Sequence, residues 1–211
     1  MDLAAMVAQV RRDLRDEDSE NYNWTGDEIE RHIAHALYDL SEQIPRETTA
    51  TLSTVSGSMD LDIASLSDSV VVHAVEYPVG YTPKVYQRFS LWGGILTFLG
   101  SPIPDGSDCT IYYGKIHTLD GDGTTLPTKY HDILAMGAEG YALISWGSYS
   151  VNRVNLGGPD VSSDYRRNGE LKLDLFYRQI KRLGRRHRAV VSRLYTPVEL
   201  PVSMDVDYGR C

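Results

Sequence analysis

His32, His35 and Asp39 stand three and four residues apart on one predicted helix, a spacing able in principle to bring imidazole and carboxylate onto a divalent cation. The chain has no HExxH pattern. His32 falls outside the apolar stripe of that helix and His35 lies near its edge, so both are expected at the surface rather than in a metal site. Asp120-Gly121-Asp122-Gly123 begins like a calcium loop, but Thr124 stands at the fifth position, Thr125 replaces the turn glycine and His131 replaces the terminal glutamate. A polar turn between a strand and a helix is the expectation. Neither GxSxG nor GxxxxGK[ST] occurs, and Gly157-Gly158 precedes Pro159 rather than a phosphate-binding lysine. His117, His131 and His187 each lack a sequence-adjacent nucleophile and are expected to be structural. The reading is a protein without catalytic chemistry, metal or cofactor.

Charge carries more information. Arg178, Lys181, Arg182, Arg185, Arg186, Arg188 and Arg193 fall in one run without an acidic residue, in a chain whose net charge is −8. A basic face on an acidic body points to an anionic partner or to head-to-tail association of copies of the chain, with a solvated helix face as the plain alternative. Fourteen tyrosines against three Phe and three Trp suit interfaces and half-buried β surfaces alike. Two cysteines, Cys109 and Cys211, provide neither a disulfide framework nor a CxxC metal site, which favours a reducing compartment. No run approaches eighteen apolar residues, so neither a secretion signal nor a membrane span is expected.

The elements that position these groups follow from periodicity. Residues 2–15 read as a short helix capped by Asp2, with Leu3, Met6, Val7, Val10 and Leu14 on one side. Trp24-Thr25-Gly26-Asp27-Glu28 starts a second helix with a capping box from Thr25 and Glu28 and a staple from Trp24 and Ile29. Ile29, Ile33, Leu37, Leu40 and Ile44 form its apolar face, and Pro45 stops it. From Thr48 to Leu119 the composition turns to Thr, Ser, Val and Tyr. Strands are expected over 49–55, 70–77, 83–89, 95–99 and 109–118, broken by Gly and Pro turns, of which Asp105-Gly106 is the clearest. Pro127 would open a third helix reaching Tyr149, its inner face Tyr130, Ile133, Leu134, Ala138, Tyr141 and Ile144. Gly137, Gly140 and Gly147 on it imply close approach by another backbone. A fourth helix starts between Asp164 and Glu170, with Leu173, Phe176, Ile180, Leu183, His187, Val190 and Leu194 as a heptad-like seam and the basic residues mostly off it. Pro197 and Pro201, interleaved with apolar residues, make 195–211 an extended arm that orders on assembly, or else a loose terminus. The expected fold is α+β: a bundle of about four helices (1–47 and 120–194), an inserted antiparallel β domain (48–119) and a C-terminal arm (195–211).

This order resembles the head–tail adaptor, or connector, proteins of tailed bacteriophages. The likeness rests on the short first helix, the Trp24-to-Ile44 helix, and a β insertion opening near Ser56-Gly57-Ser58. It continues through Leu96-Thr97-Phe98, Pro102-Ile103-Pro104-Asp105-Gly106 and Ile111-Tyr112-Tyr113, then the helix entry at Leu126-Pro127 with Tyr130. The resemblance implies a structural virion protein at the head–tail junction, made in the host cytoplasm, forming a dodecameric homo-oligomeric ring under the portal protein. Such a ring extends the channel for the genomic double-stranded DNA and presents a surface to a tail or nozzle protein. Carried over by segment, the contact residues are Arg178, Lys181, Arg182, Arg185, Arg186, Arg188 and Arg193 on the helix, with Tyr195, Val198, Leu200, Val202, Met204 and Tyr208 on the arm. The competing class is a nucleic-acid-binding module using the basic helix on phosphates, whose binding would fall steeply with salt.

Overall fold

The computed structural model describes residues 1–150 and 161–191. They divide into two compact units, one of Met1–Arg46 and Ile116–Arg186, the other of Glu47–Lys115 with the end of the last helix from His187. The architecture is α+β, four helices with an inserted antiparallel β region.

The first unit is helical. α1 (Leu3–Leu14) is capped by Asp2, whose carboxylate accepts from the Ala5 N–H at 2.8 Å. α2 (Gly26–Gln43) opens on a complete capping box: the Glu28 N–H donates to the Thr25 hydroxyl at 3.3 Å and the Thr25 N–H to the Glu28 carboxylate at 2.8 Å. Between the two helices a buried ion pair fixes the chain path. Arg11 contacts Asp16 at 2.6 Å, donates to the Trp24 carbonyl at 3.0 Å and lies over the Tyr22 ring.

α3 (His131–Ser150) follows a 3-10 turn over Thr128–Tyr130, so Pro127 precedes that turn instead of opening the α-helix. The helix buries residues on nearly every side, from Leu134 and Ala135 through Glu139 to Gly147. An inner face of six residues therefore understated its role. α1, α2 and α4 all pack on it, and small residues let them come close. α4 (Val161–Val191) starts earlier than its periodicity suggested and places Phe176 and Ile180 in the core, 0 and 1% exposed.

The glycines mark the closest approaches. A methyl group on Gly137 would meet the Phe176 ring at 2.9 Å, and one on Gly147 would meet the Ser162 carbonyl at 3.0 Å. The tight helix packing expected from Gly137, Gly140 and Gly147 is present, and Gly169 and Gly184 of α4 extend it.

The second unit is a β sandwich. One sheet has the order β1-β7-β3-β4, from Arg46–Ser53, Asp108–Lys115, Ser69–Glu76 and Tyr86–Gln87; the other has the order β2-β6-β5, from Asp60–Asp62, Ile95–Phe98 and Phe89–Trp92. The pairs β3/β7, β3/β4, β2/β6 and β5/β6 are antiparallel. Leu61, Leu96 and Phe98 of the smaller sheet share a core with Val75, Tyr77, Cys109 and Ile111.

The single strand expected over 83–89 is instead two, β4 and β5, one in each sheet, with the chain changing sheets at Arg88. β2 was not anticipated because three residues are too few to display alternation. Gly93 and Gly94, at φ 57° and 82°, give the left-handed pair that a two-residue hairpin turn requires between β5 and β6.

Candidate assembly surface

α4 presents two opposite faces. Gly169, Leu173, Phe176, Ile180 and Leu183 turn inward or partly inward. Mostly two positions from a seam residue, and so on the opposite side of the helix, Leu171, Leu175, Arg178, Arg182, Arg185 and Arg186 are exposed. The cations are not equivalent. Arg178 is held by Asp174 one turn earlier, so its charge is locally offset. Lys181 lines a cleft of about 230 Å³ with Asp39, Glu42 and Tyr177. Arg182, Arg185 and Arg186 have no ion-pair partner among the described residues. The side chain of Arg188 and the whole of Arg193, Tyr195, Val198, Leu200, Val202, Met204 and Tyr208 lie outside the described residues.

What holds α4 in place is partly polar. Asp39 of α2 accepts from the hydroxyl of Tyr141 on α3 and, at 3.0 Å, from that of Tyr177 on α4; the two phenol oxygens are 2.6 Å apart. Burial, with the Asp39 carboxylate beside it, pushes the Tyr141 phenol far above its ordinary range, and burial raises Tyr177 as well. Lys172 of α4 meets the buried Glu139 of α3 at 2.6 Å, and burial raises the Glu139 carboxyl despite that partner. A tyrosine pair more than thirty positions apart in sequence carries no local signal.

The first set considered for chemistry comes apart. Asp39 is occupied by tyrosines, and the His35 ring stacks on Tyr141 with centroids 4.1 Å apart. His32 corrects the sequence reading: it is 6% exposed rather than at the surface, because α2 packs against both α1 and α3 and buries a stripe wider than its apolar residues. Its Nε2 has no hydrogen-bond partner, and burial lowers its pKa to about 4. Among the described residues no group of His, Cys, Asp or Glu is arranged to hold a metal ion.

The other motifs resolve into structure. Asp120 accepts from the N–H groups of Asp122 and Gly123 at 3.0 and 3.1 Å, the polar turn expected there. His117 lies between Thr125 and the Ile44 carbonyl, and His131 is 3.1 Å from the Leu126 carbonyl. Cys109 is buried at 0% exposure, which raises its thiol pKa.

A second surface escaped the sequence reading. In β5 and β6 the pairs Phe89/Phe98 and Leu91/Leu96 alternate with Ser90/Thr97 and Trp92/Ile95. Leu96 and Phe98 are buried, so the second set faces outward, joined across β6 by Asp60 opposite Thr97 and Asp62 opposite Ile95. Trp92 is 87% exposed at the hairpin tip. Its signal was present in Leu91-Trp92-Gly93-Gly94, an aromatic placed directly before a tight turn.

The described residues thus form a helical unit with an inserted β sandwich, with basic side chains exposed on α4 and an exposed tryptophan on β5. The family model for the SU10 adaptor protein matches residues 1–200, and the chain belongs to that family. No curated protein matches it. It is a structural virion protein, a head-to-tail adaptor that joins portal and tail at the head–tail junction, and not an enzyme. No described helix is long and apolar enough to cross a membrane.

Proposed function

We propose that copies of this chain, made in the host cytoplasm, form a ring under the portal, twelvefold in symmetry, that continues the channel for the genomic double-stranded DNA. The basic face of α4 and the segment 195–211 supply the contacts to the portal and between copies, and the remaining surface receives the tail or nozzle protein. The observation that carries this reading is the set of Arg182, Arg185 and Arg186, exposed and without an ion-pair partner among the described residues, on a helix whose opposite face is locked into the core. Exposed guanidinium groups without intramolecular partners are available to a protein surface, and an acidic chain of net charge −8 does not favour holding DNA still in a channel.

Negative-stain microscopy of the purified chain mixed with the portal protein of the same virus tests it. An added ring coaxial with the portal is expected, and the particle averages give its symmetry. Bare portals at high protein excess would overturn the reading. Removing residues 196–211 is expected to abolish the ring while circular dichroism of the free chain stays unchanged.

The nucleic-acid alternative uses the same arginines. It requires binding of duplex DNA whose affinity falls by orders of magnitude as salt rises, because each neutralised phosphate releases counterions.

A further inference from the structure

We infer that the outer stripe of α4 in one copy packs on the outer face of the β2-β6-β5 sheet of the next copy, making the repeating contact of the ring. This rests on the ring reading above. A ring of identical chains needs a heterologous interface, in which two different patches on the same chain complement each other. Of the described surfaces, these two match in kind.

The helix stripe is apolar at one end and basic at the other: Leu171 and Leu175 are 54 and 45% exposed, followed by Arg182 and Arg185. The helix is already anchored by its other face, so this exposed leucine pair is left for another surface as far as the described residues go. The sheet face carries Trp92 and Ile95 beside Asp62, with Asp60 one pair further along. Arg88, also exposed, precedes β5 and sits at the end away from Trp92.

Spacing agrees as well as sign. Side chains three or four apart on a helix stand roughly 5–6 Å apart, and residues two apart on a strand roughly 6–7 Å. Arg182 and Arg185 can therefore meet Asp60 and Asp62 as a pair. Each carboxylate uses only one oxygen internally, Asp60 accepting from the Thr97 hydroxyl at 2.6 Å and Asp62 from the Ala64 N–H at 2.8 Å. Trp92 adds a ring face on which a guanidinium stacks. Aromatic and arginine residues of this kind dominate protein–protein contacts.

The sheet face measures only about 13 by 10 Å, against about 800 Å² a side for a stable complex. The contact is thus too small to hold free copies together and operates once the portal has aligned them.

Charge exchange tests it. The unaltered chain, an Asp60→Arg/Asp62→Arg variant, an Arg182→Glu/Arg185→Glu variant and the two combined are each added to portal protein, and ring occupancy is counted by electron microscopy. All substituted positions are exposed, and circular dichroism checks that each chain is folded. Each pair alone is expected to raise the concentration for half occupancy by about tenfold or more, the equivalent of ~1.4 kcal/mol, with the combined variant restoring most of it. Trp92→Ala is expected to weaken assembly without altering the fold. Unchanged occupancy in both charge variants, or no recovery on combining them, would overturn the interface alone. Bare portals with the unaltered chain would overturn the ring reading itself.

Discussion

Gly169 of α4 faces the carbonyl of Gly140 on α3 so closely that a methyl group on Gly169 would lie 2.8 Å from that oxygen and 2.7 Å from the Cγ1 of Ile144. Neither neighbour can give way cheaply, since one is backbone and the other belongs to a packed helix. Gly169→Ala gains ~1 kcal/mol in helix propensity but is expected to lose more through forced separation, for a net destabilisation of about 1–2 kcal/mol in urea unfolding. An alanine variant as stable as the parent would mean that the two helices are not in this register.

Arg11 and Asp16 predict a sharper asymmetry. Both are buried, and Asp16 also accepts from the Asn23 N–H at 2.7 Å. Asp16→Ala leaves a guanidinium uncompensated in the interior and is expected to cost ~3–5 kcal/mol. The double change Arg11→Met/Asp16→Ala removes both charges and recovers a large part of that loss. A double-mutant cycle with no coupling would rule out the pair.

His32 sets a pH dependence with a definite sign. Its folded pKa is lowered by burial to about 4 from 6.5, so between those values the unfolded chain binds more protons. Its neutral form contributes stability that is fully present above pH 6.5 and lost as pH falls toward 4, up to roughly 3 kcal/mol. Burial lowers His117 and His73 in the same direction. Replacing His32 by Gln should flatten the slope of stability against pH over that window in paired urea titrations. An unchanged slope would show that the imidazole is not protonated only on unfolding.

Tyr141 and Tyr177 should be silent to base. Burial and the shared Asp39 hold both phenols protonated, so absorbance at alkaline pH is expected to report the exposed tyrosines first and these two only with unfolding. Tyr141→Phe removes one bond to Asp39 and is expected to cost ~1–2 kcal/mol, measured by thermal melting.

The helices were legible because their signals are local. Asp2, the Thr25/Glu28 box and the 3.6-residue periodicity each lie within one or two turns, and Gly137, Gly140 and Gly147 announced close packing through their propensity cost. The β unit was legible only as a unit. Assigning β4 and β5 to different sheets depends on pairing with β3 and β6, and nothing between Tyr86 and Trp92 encodes the partner. The burial of His32 and the Asp39 cluster depend on what packs across α2, which a single helix cannot display. The basic run was plain in the sequence, yet its division into Arg178, paired with Asp174, and Arg182, Arg185 and Arg186, which have no ion-pair partner among the described residues, required side-chain positions. The outer sheet face was hidden because its residues come from three separated strands.

His117 clasps the end of α2 within the helical unit: its N–H donates to the Ser41 hydroxyl at 3.1 Å, and its ring lies 3.1 Å from the Ile44 carbonyl. The chain thus leaves this unit near residue 46 and re-enters near 116 through two points already fastened to each other, while β1 and β7, the first and last strands of the insertion, are neighbours in their sheet. Because both crossings lie at one place on the helical unit, replacing 47–115 by a short glycine-serine bridge is expected to leave the helices folded, which circular dichroism of the trimmed chain checks.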